Sequence, residues 1–339
     1  MPAVTDAGAL DRAAGALYGL AIGDALGMPT ESLSRPQIVA ACGPLLDGFR
    51  PAPAGHPLAA GPAGAVTDDT GQAVLLAEVL VAGGGEVDPA AFARRLVQWQ
   101  ADMEARGAAS LLGPSTRRAL DELLAGANLA EAGRHGTTNG AAMRVAPVGI
   151  ATPAGDPDLL VDRVVLASMA THNTGVALAG AAAVAAAVSA GVGGATVPEA
   201  IQAGIDAAGL AAGRGHWVAA ADVASRIGWA TGLAAGRPAG EVIDAVYRLV
   251  GTSVATQESV PAAFAVLAAS PGDPWLACRI GASLGGDTDT IAAMAGAVAG
   301  ACHGAAAFPA AARETVTTVN RLRLDELAAG LLTVRAAGG

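Results

Sequence analysis

The sequence predicts an all-α protein, a compact single-domain orthogonal multi-helix bundle. Apolar residues recur at helical spacing along most of the 339 residues, and no convincing alternating strand appears. Apolar types make up 53% of the chain but aromatics only 3%, so Ala and Gly supply much of the core. Small residues suit close helix-on-helix packing better than a sheet rich in β-branched and aromatic side chains. Two clusters of carboxylates and hydroxyls, at Thr67–Thr70 and Asp287–Thr290, stand where predicted helices begin.

The spacing predicts helices over 8–23, 67–83, 89–105, 114–126, 157–170, 174–191, 196–209, 217–234, 240–251, 274–284, 289–303 and 309–335, the last with a break. Gly and Pro punctuate the gaps, as at Gly83-Gly84-Gly85 and Pro271-Gly272-Asp273-Pro274. Residues 50–64, rich in Pro and Gly, form the one clear loop. No linker divides the chain, so residues 1–339 are expected to be one domain. From Thr174 to Pro198 there is no charged residue. Ala and Gly drive membrane insertion weakly, so this stretch is expected to be a central buried helix, with no membrane partner.

Thirty acidic residues against twenty basic ones give a net charge of −10. That balance argues against nucleic acid as a partner, since phosphate binding needs clustered cations. All the basic residues are Arg; Schiff-base chemistry and a P-loop lysine are excluded. Cys42, Cys278 and Cys302 are odd in number and scattered, which predicts small buried thiols in a reducing cytoplasm. Asp6 and Asp11 occupy an N-terminus without a basic n-region, so no signal peptide is predicted and the expected location is cytoplasmic.

The first acidic turn is Thr67-Asp68-Asp69-Thr70; the second is Gly285-Gly286-Asp287-Thr288-Asp289-Thr290. Taken singly, either is explained by helix capping, because Asp or Thr at an N-cap satisfies free backbone N–H groups. One cap needs one such residue, and here they are contiguous. Gly285 and Gly286 permit a tight turn, and the helix after it is almost wholly small and apolar, so its mouth is expected to be buried. Carboxylates there are costly without a partner, no Lys exists, and no Arg follows Arg279 nearby in sequence. Together the turns offer four carboxylates and several hydroxyls, hard oxygen ligands suited to Mg²⁺ or Mn²⁺. Two such ions would offset four carboxylates and could activate water between them. The residues thus raise a dinuclear metal site between helix N-termini as a hypothesis beside capping.

Six segments in order then carry a resemblance. They are GALYGLAIGDALGMPTE (Gly15 to Glu31), TDDT (Thr67 to Thr70), GPSTRRAL (Gly113 to Leu120), TNGAAMRVAPVG (Thr138 to Gly149), THNTGVALAG (Thr171 to Gly180) and GGDTDT (Gly285 to Thr290). With these the chain resembles the ADP-ribosylglycohydrolase family along almost its whole length. The resemblance implies an all-α fold and two Mg²⁺ or Mn²⁺ ions held by Thr67, Asp68, Asp69, Asp287, Asp289 and Thr290. It places Glu31 beside the metals and the scissile bond, with Asp69 and Asp287 as further catalytic carboxylates. It puts Gly113 and Ser115 on phosphate oxygens at a helix start, and Asn139, Gly140, Met143 and His172 against the substrate.

The implied activity is metal-dependent hydrolysis of a ribosyl glycosidic bond, removing ADP-ribose from a modified protein side chain. The Gly136–Asn139 stretch lacks the aromatic that such sites often use to stack adenine, and no aromatic lies between Trp99 and Trp217. This opens an alternative substrate, a smaller ribosyl compound such as a nucleoside, nucleotide or ribosylated metabolite. A haloacid-dehalogenase-type phosphatase reading of Asp287-Thr288-Asp289 fails for want of a preceding strand and a Lys. A non-catalytic ADP-ribose-binding relative would have lost metal ligands, and all six positions are kept.

Overall fold

The helical spacing is realised, in the computed structural model, as eighteen α-helices among the described residues, which are 7–54, 61–105 and 112–338. In chain order they are α1 (Ala7–Gly27), α2 (Arg35–Cys42), α3 (Asp68–Ala82), α4 (Pro89–Ala105), α5 (Pro114–Leu124), α6 (Leu129–Ala132), α7 (Gly140–Arg144), α8 (Ala146–Ala151), α9 (Pro157–Ser168), α10 (Gly175–Val192), α11 (Val197–Ala211), α12 (Val223–Ala234), α13 (Ala239–Ala245), α14 (Thr256–Ala269), α15 (Pro274–Gly281), α16 (Thr288–His303), α17 (Ala310–Asn320) and α18 (Leu324–Ala337). No strand occurs among the described residues; isolated β-bridges join Thr138 to Ala255 and Thr174 to His216. Buried apolar side chains form one continuous cluster from Ala13 to Val334. Part of the predicted 50–64 loop, at 55–60, lies outside the described residues.

The centre of the fold is the antiparallel pair α1 and α16. Gly15, Gly19, Gly23 and Gly27 recur every fourth residue and form one stripe on α1. A Cβ at Gly19 would collide with the carbonyl of Gly296, and one at Gly23 with that of Ala292, so the two backbones approach as only glycine allows. At the end of the stripe Gly27 packs on the backbone of Asp289. The contact that assembles the core therefore also delivers the end of α1 to the second acidic turn. The expected central buried helix is α10; it is long and apolar enough to cross a membrane, yet 89% of it is buried inside the protein.

Spacing missed α2, α6, α7, α8 and α14. The most consequential is α14, which carries Pro261 within it and buries every residue from Ser259 to Leu267. Its apolar run from Val260 to Ala269 begins with a proline at the second position, which in sequence argues against a helix interior. The predicted helix at 217–234 begins only at Val223, because Asp222 caps it by accepting the N–H of Ser225 (2.7 Å). The predicted helix at 240–251 passes into a π-helical turn at Val246–Val250 before ending at Gly251.

Candidate active site

Six segments distant in sequence line one cavity of about 170 Å³. Glu31, Asp68, Asp69, Asp287 and Asp289 bring five carboxylates to it; Gly113, Asn139, Gly140, Met143 and Thr290 line it as well, with Thr116 and Thr138 among them. Thr67, Ser115 and His172 are buried close by but stand behind the lining. No aromatic lines the cavity among the described residues.

Capping accounts for part of the first turn. Thr67 is the N-cap of α3, accepting the N–H of Asp69 (3.4 Å) and donating its hydroxyl to Asp69 Oδ2 (3.2 Å). The carboxylates of Asp68 and Asp69 are not needed for that cap. Asp287 occupies the N-cap of α16 yet makes no side-chain capping bond. It accepts instead from Asn139 Nδ2 (2.5 Å), and Asn139 also donates to Ser259 Oγ (2.9 Å). Capping therefore does not explain the Asp287 carboxylate.

Asp24, which sequence reasoning passed over, holds the first turn from behind. It is fully buried on α1 and accepts the N–H of Thr67 (3.0 Å), and both the N–H (3.1 Å) and hydroxyl (2.5 Å) of Thr70. The signal was a lone carboxylate inside an apolar run, which is costly unless something donates to it. Glu31 follows a 3₁₀ turn at Met28–Thr30. Its neighbour Ser32 (φ 63°) donates its N–H to Gly286 O (2.8 Å), and Gly286 donates back to Leu33 O (2.9 Å). Gly285 and Gly286 adopt positive φ, as their position predicts; a Cβ on Gly286 would strike Thr252 O, which accepts the N–H of Asp287 (2.8 Å).

Burial, reinforced by neighbouring carboxylates, pushes the carboxyls of Asp68, Asp69 and Asp289 well above the usual range. Asp287 is pushed up to about 6, chiefly by burial and against the hydrogen bond from Asn139. The sequence offered no nearby cation; the fold supplies one. Arg144, fully buried at the end of α7, donates to Gln72 Oε1 (2.7 Å), and Gln72 donates to Asp68 Oδ2 (2.9 Å). One buried guanidinium does not offset five carboxylates, so the cluster calls for protons or a cation.

Asp69 Oδ1 and Asp289 Oδ1 are buried with no hydrogen-bond partner. Orphaned carboxylate oxygens of this kind fit a hard divalent cation. Among the described residues no group of three or more His, Cys, Asp or Glu side chains forms a ready-made cage. The donors are carboxylates and hydroxyls along a cavity wall, which suits an ion such as Mg²⁺ that keeps several of its waters.

The family model for ADP-ribosylglycohydrolase matches residues 5–338. The protein YegU of Escherichia coli (strain K12) is 36% identical over 327 residues, 96% of this chain and 97% of its own. The ADP-ribosylarginine hydrolase Tri1 of Serratia proteamaculans (strain 568) is 35% identical over 127 residues, 36% of this chain and 31% of its own. Among solved structures, an ADP-ribosylglycohydrolase-related protein complex matches with a TM-score of 0.72 at 26% identity, covering 96% of this chain and 99% of that one. The chain belongs to the ADP-ribosylglycohydrolase family, whose chemistry is the hydrolysis of ADP-ribose linkages.

Proposed function

We propose that this chain hydrolyses the ribosyl glycosidic bond joining ADP-ribose to a modified protein side chain, with two Mg²⁺ or Mn²⁺ ions as cofactors. The observation that carries this reading is the convergence of five carboxylates on one cavity, with Asp69 Oδ1 and Asp289 Oδ1 buried and unpartnered. Asp68, Asp69, Asp287, Asp289 and Thr290, which line the cavity, would hold the ions, and Thr67, expected with them, would join only by turning its hydroxyl away from Asp69. When bound, such ions acidify water and polarise the oxygens they touch.

The chain's own groups then position and protonate. Asn139 fixes the Asp287 carboxylate from the substrate side. Glu31 is the least buried of the three expected catalytic carboxylates, so we assign proton transfer at the scissile bond to it, leaving Asp69 and Asp287 to the ions. The anionic wall stabilises positive charge developing on the ribose as the bond breaks. Gly113 and Thr116, at the start of α5, line the cavity where a diphosphate would leave it; the N-terminus of that helix favours anions. Ser115, buried beside them at the start of α5, stands behind this lining.

A second reading, a smaller ribosyl substrate, draws on the cavity itself. At about 170 Å³ and without an aromatic among its described lining, it suits the ribose end; pockets that engulf a drug-sized ligand run roughly 300–1,000 Å³.

The test is turnover of ADP-ribosyl-arginine, a serine-ADP-ribosylated peptide, and simple nucleosides and nucleotides, with Mg²⁺ or Mn²⁺ and then EDTA. Ion-dependent release of ADP-ribose supports the first reading and identifies the linkage. Ion-dependent release of ribose or free base alone moves the assignment to the second. ADP-ribose binding without turnover on any substrate means a non-catalytic relative.

A further inference from the structure

Two hydrogen-bond chains leave the buried guanidinium of Arg144. One runs through Gln72 to Asp68, as described. The other runs from Nη2 to Thr171 Oγ1 (2.7 Å), on to His172 Nδ1 (2.8 Å), and from His172 Nε2 to Thr138 Oγ1 (3.0 Å). Arg144, Thr171 and His172 are buried behind the wall, while Thr138 lines the cavity. Gly140 makes room for this arrangement, since a Cβ there would press into the His172 ring.

The direction of the second chain follows from elementary hydrogen-bond chemistry. A guanidinium only donates, so Thr171 Oγ1 accepts from Arg144; Thr171 is fully buried, and among the described residues His172 Nδ1 is the one acceptor within reach of its hydroxyl, so its hydrogen turns there. Burial, reinforced by the positive charges of Arg144 and Arg118, drives His172 well below the usual imidazole range. The ring is therefore neutral with a single N–H. With Nδ1 accepting, that hydrogen sits on Nε2 and is donated to Thr138 Oγ1. Thr138 has then accepted its bond from within the wall, and its own hydroxyl hydrogen is left for the cavity.

We propose that Thr138 contacts the substrate as a one-way donor that recognises an acceptor oxygen of the ligand, and that His172 and Arg144 are positioning residues that fix this polarity. His172 thus acts on the substrate through Thr138 rather than by touching it. The same guanidinium sets both walls. It makes Gln72 donate to Asp68, occupying Oδ2, and makes Thr138 donate to the ligand. The proposal rests on the function above only for the identity of that ligand; the direction of the chain is independent of it.

The first arm of the test needs no ligand. In ¹⁵N-labelled full-length protein, with the His172 signals assigned by comparison with His172→Gln, the imidazole is expected as the neutral Nε2–H tautomer. The Nδ1–H tautomer would overturn the proposal, because the chain would then run the other way and Thr138 would be an acceptor. Thr171→Val severs Arg144 from His172 without touching the cavity; loss of the single tautomer is expected, and an unchanged spectrum would count against Arg144 as its source. The second arm is binding of ADP-ribose with Mg²⁺. Thr138→Val is expected to raise Kd about tenfold, the loss of one well-placed hydrogen bond, with Mn²⁺ affinity unchanged and binding restored by Thr138→Ser. Equal Kd for Thr138→Val would overturn the contact. If wild-type protein does not bind ADP-ribose, the function proposed above fails while the tautomer still decides the polarity, and the Thr138 comparison is made with ribose 5-phosphate.

Discussion

Asp24 Oδ2 accepts both the hydroxyl of Thr70 (2.5 Å) and its backbone N–H (3.1 Å). A single buried carboxylate on α1 thereby closes the turn that starts α3, and leaves Asp68 and Asp69 to face the cavity. Asp24→Asn keeps the shape, but its amide nitrogen cannot accept, so one of the turn's N–H groups meets a donor. We expect Mn²⁺ affinity to fall about 10–100-fold, the usual effect of losing a group that orients metal ligands. The fold should survive, since the same change removes a buried charge. Calorimetric titration of Mn²⁺ checks this, and wild-type affinity would mean that the turn holds itself.

The orphaned oxygens of Asp69 and Asp289 predict effects of opposite sign. Asp69→Asn and Asp289→Asn each remove a charge from a crowded buried cluster, so both variants in EDTA should melt a few degrees above wild type. The same variants should lose ion-dependent turnover by about 100-fold or more. Melting in EDTA and turnover with Mg²⁺ read the two effects separately. A variant that loses both stability and turnover would show that these carboxylates serve the fold.

Much of this architecture is legible in the sequence, and the exceptions share a cause. The acidic turns declare themselves because contiguous carboxylates at a helix start exceed what capping needs. The exact role of each surrounding group does not, because it depends on chain segments brought together from far away. Arg144 stands 76 positions from Asp68 in sequence and reaches it only through Gln72 on the next turn of α3. His172 sits at the head of α10 as its motif suggests, yet the turn at Thr138–Gly140 comes between it and the cavity. Helix α14 escaped notice because Pro261 stands inside it, a residue that in sequence marks a helix boundary, whereas α10, just as buried, has no such interruption.

Two helical glycines should respond oppositely to alanine. Gly19→Ala places a methyl group on the carbonyl of Gly296 in the α1–α16 contact, where neither backbone can yield without opening the core. A loss of about 1–3 kcal/mol or more is expected, as for other overpacked sites. Gly209, in α11, has nothing near its vacant Cβ position, so Gly209→Ala should stabilise by about 0.5–1 kcal/mol through helix propensity. Chemical denaturation of both variants decides it. A neutral Gly19→Ala would show that the close approach is not required.

The buried carboxyls also set a pH dependence. Burial raises Asp24 and Asp287 from 3.8 to about 6, and Asp68, Asp69 and Asp289 are raised as well. Between about pH 4 and pH 6 the folded protein therefore holds protons that the unfolded chain has released, and stability falls as pH rises through that window. A two-unit shift corresponds to about 3 kcal/mol for a single group. In EDTA the melting temperature should be higher near pH 5 than at pH 7.5. Divalent ions compete with those protons for the same carboxylates, so Mg²⁺ or Mn²⁺ should raise the melting temperature more at pH 7.5 than at pH 5. Melting curves at the two pH values, with and without ion, give all four quantities. An ion response of equal size at both would mean that protons and ions do not share these carboxylates, and the reading of the cavity as a metal centre would fall.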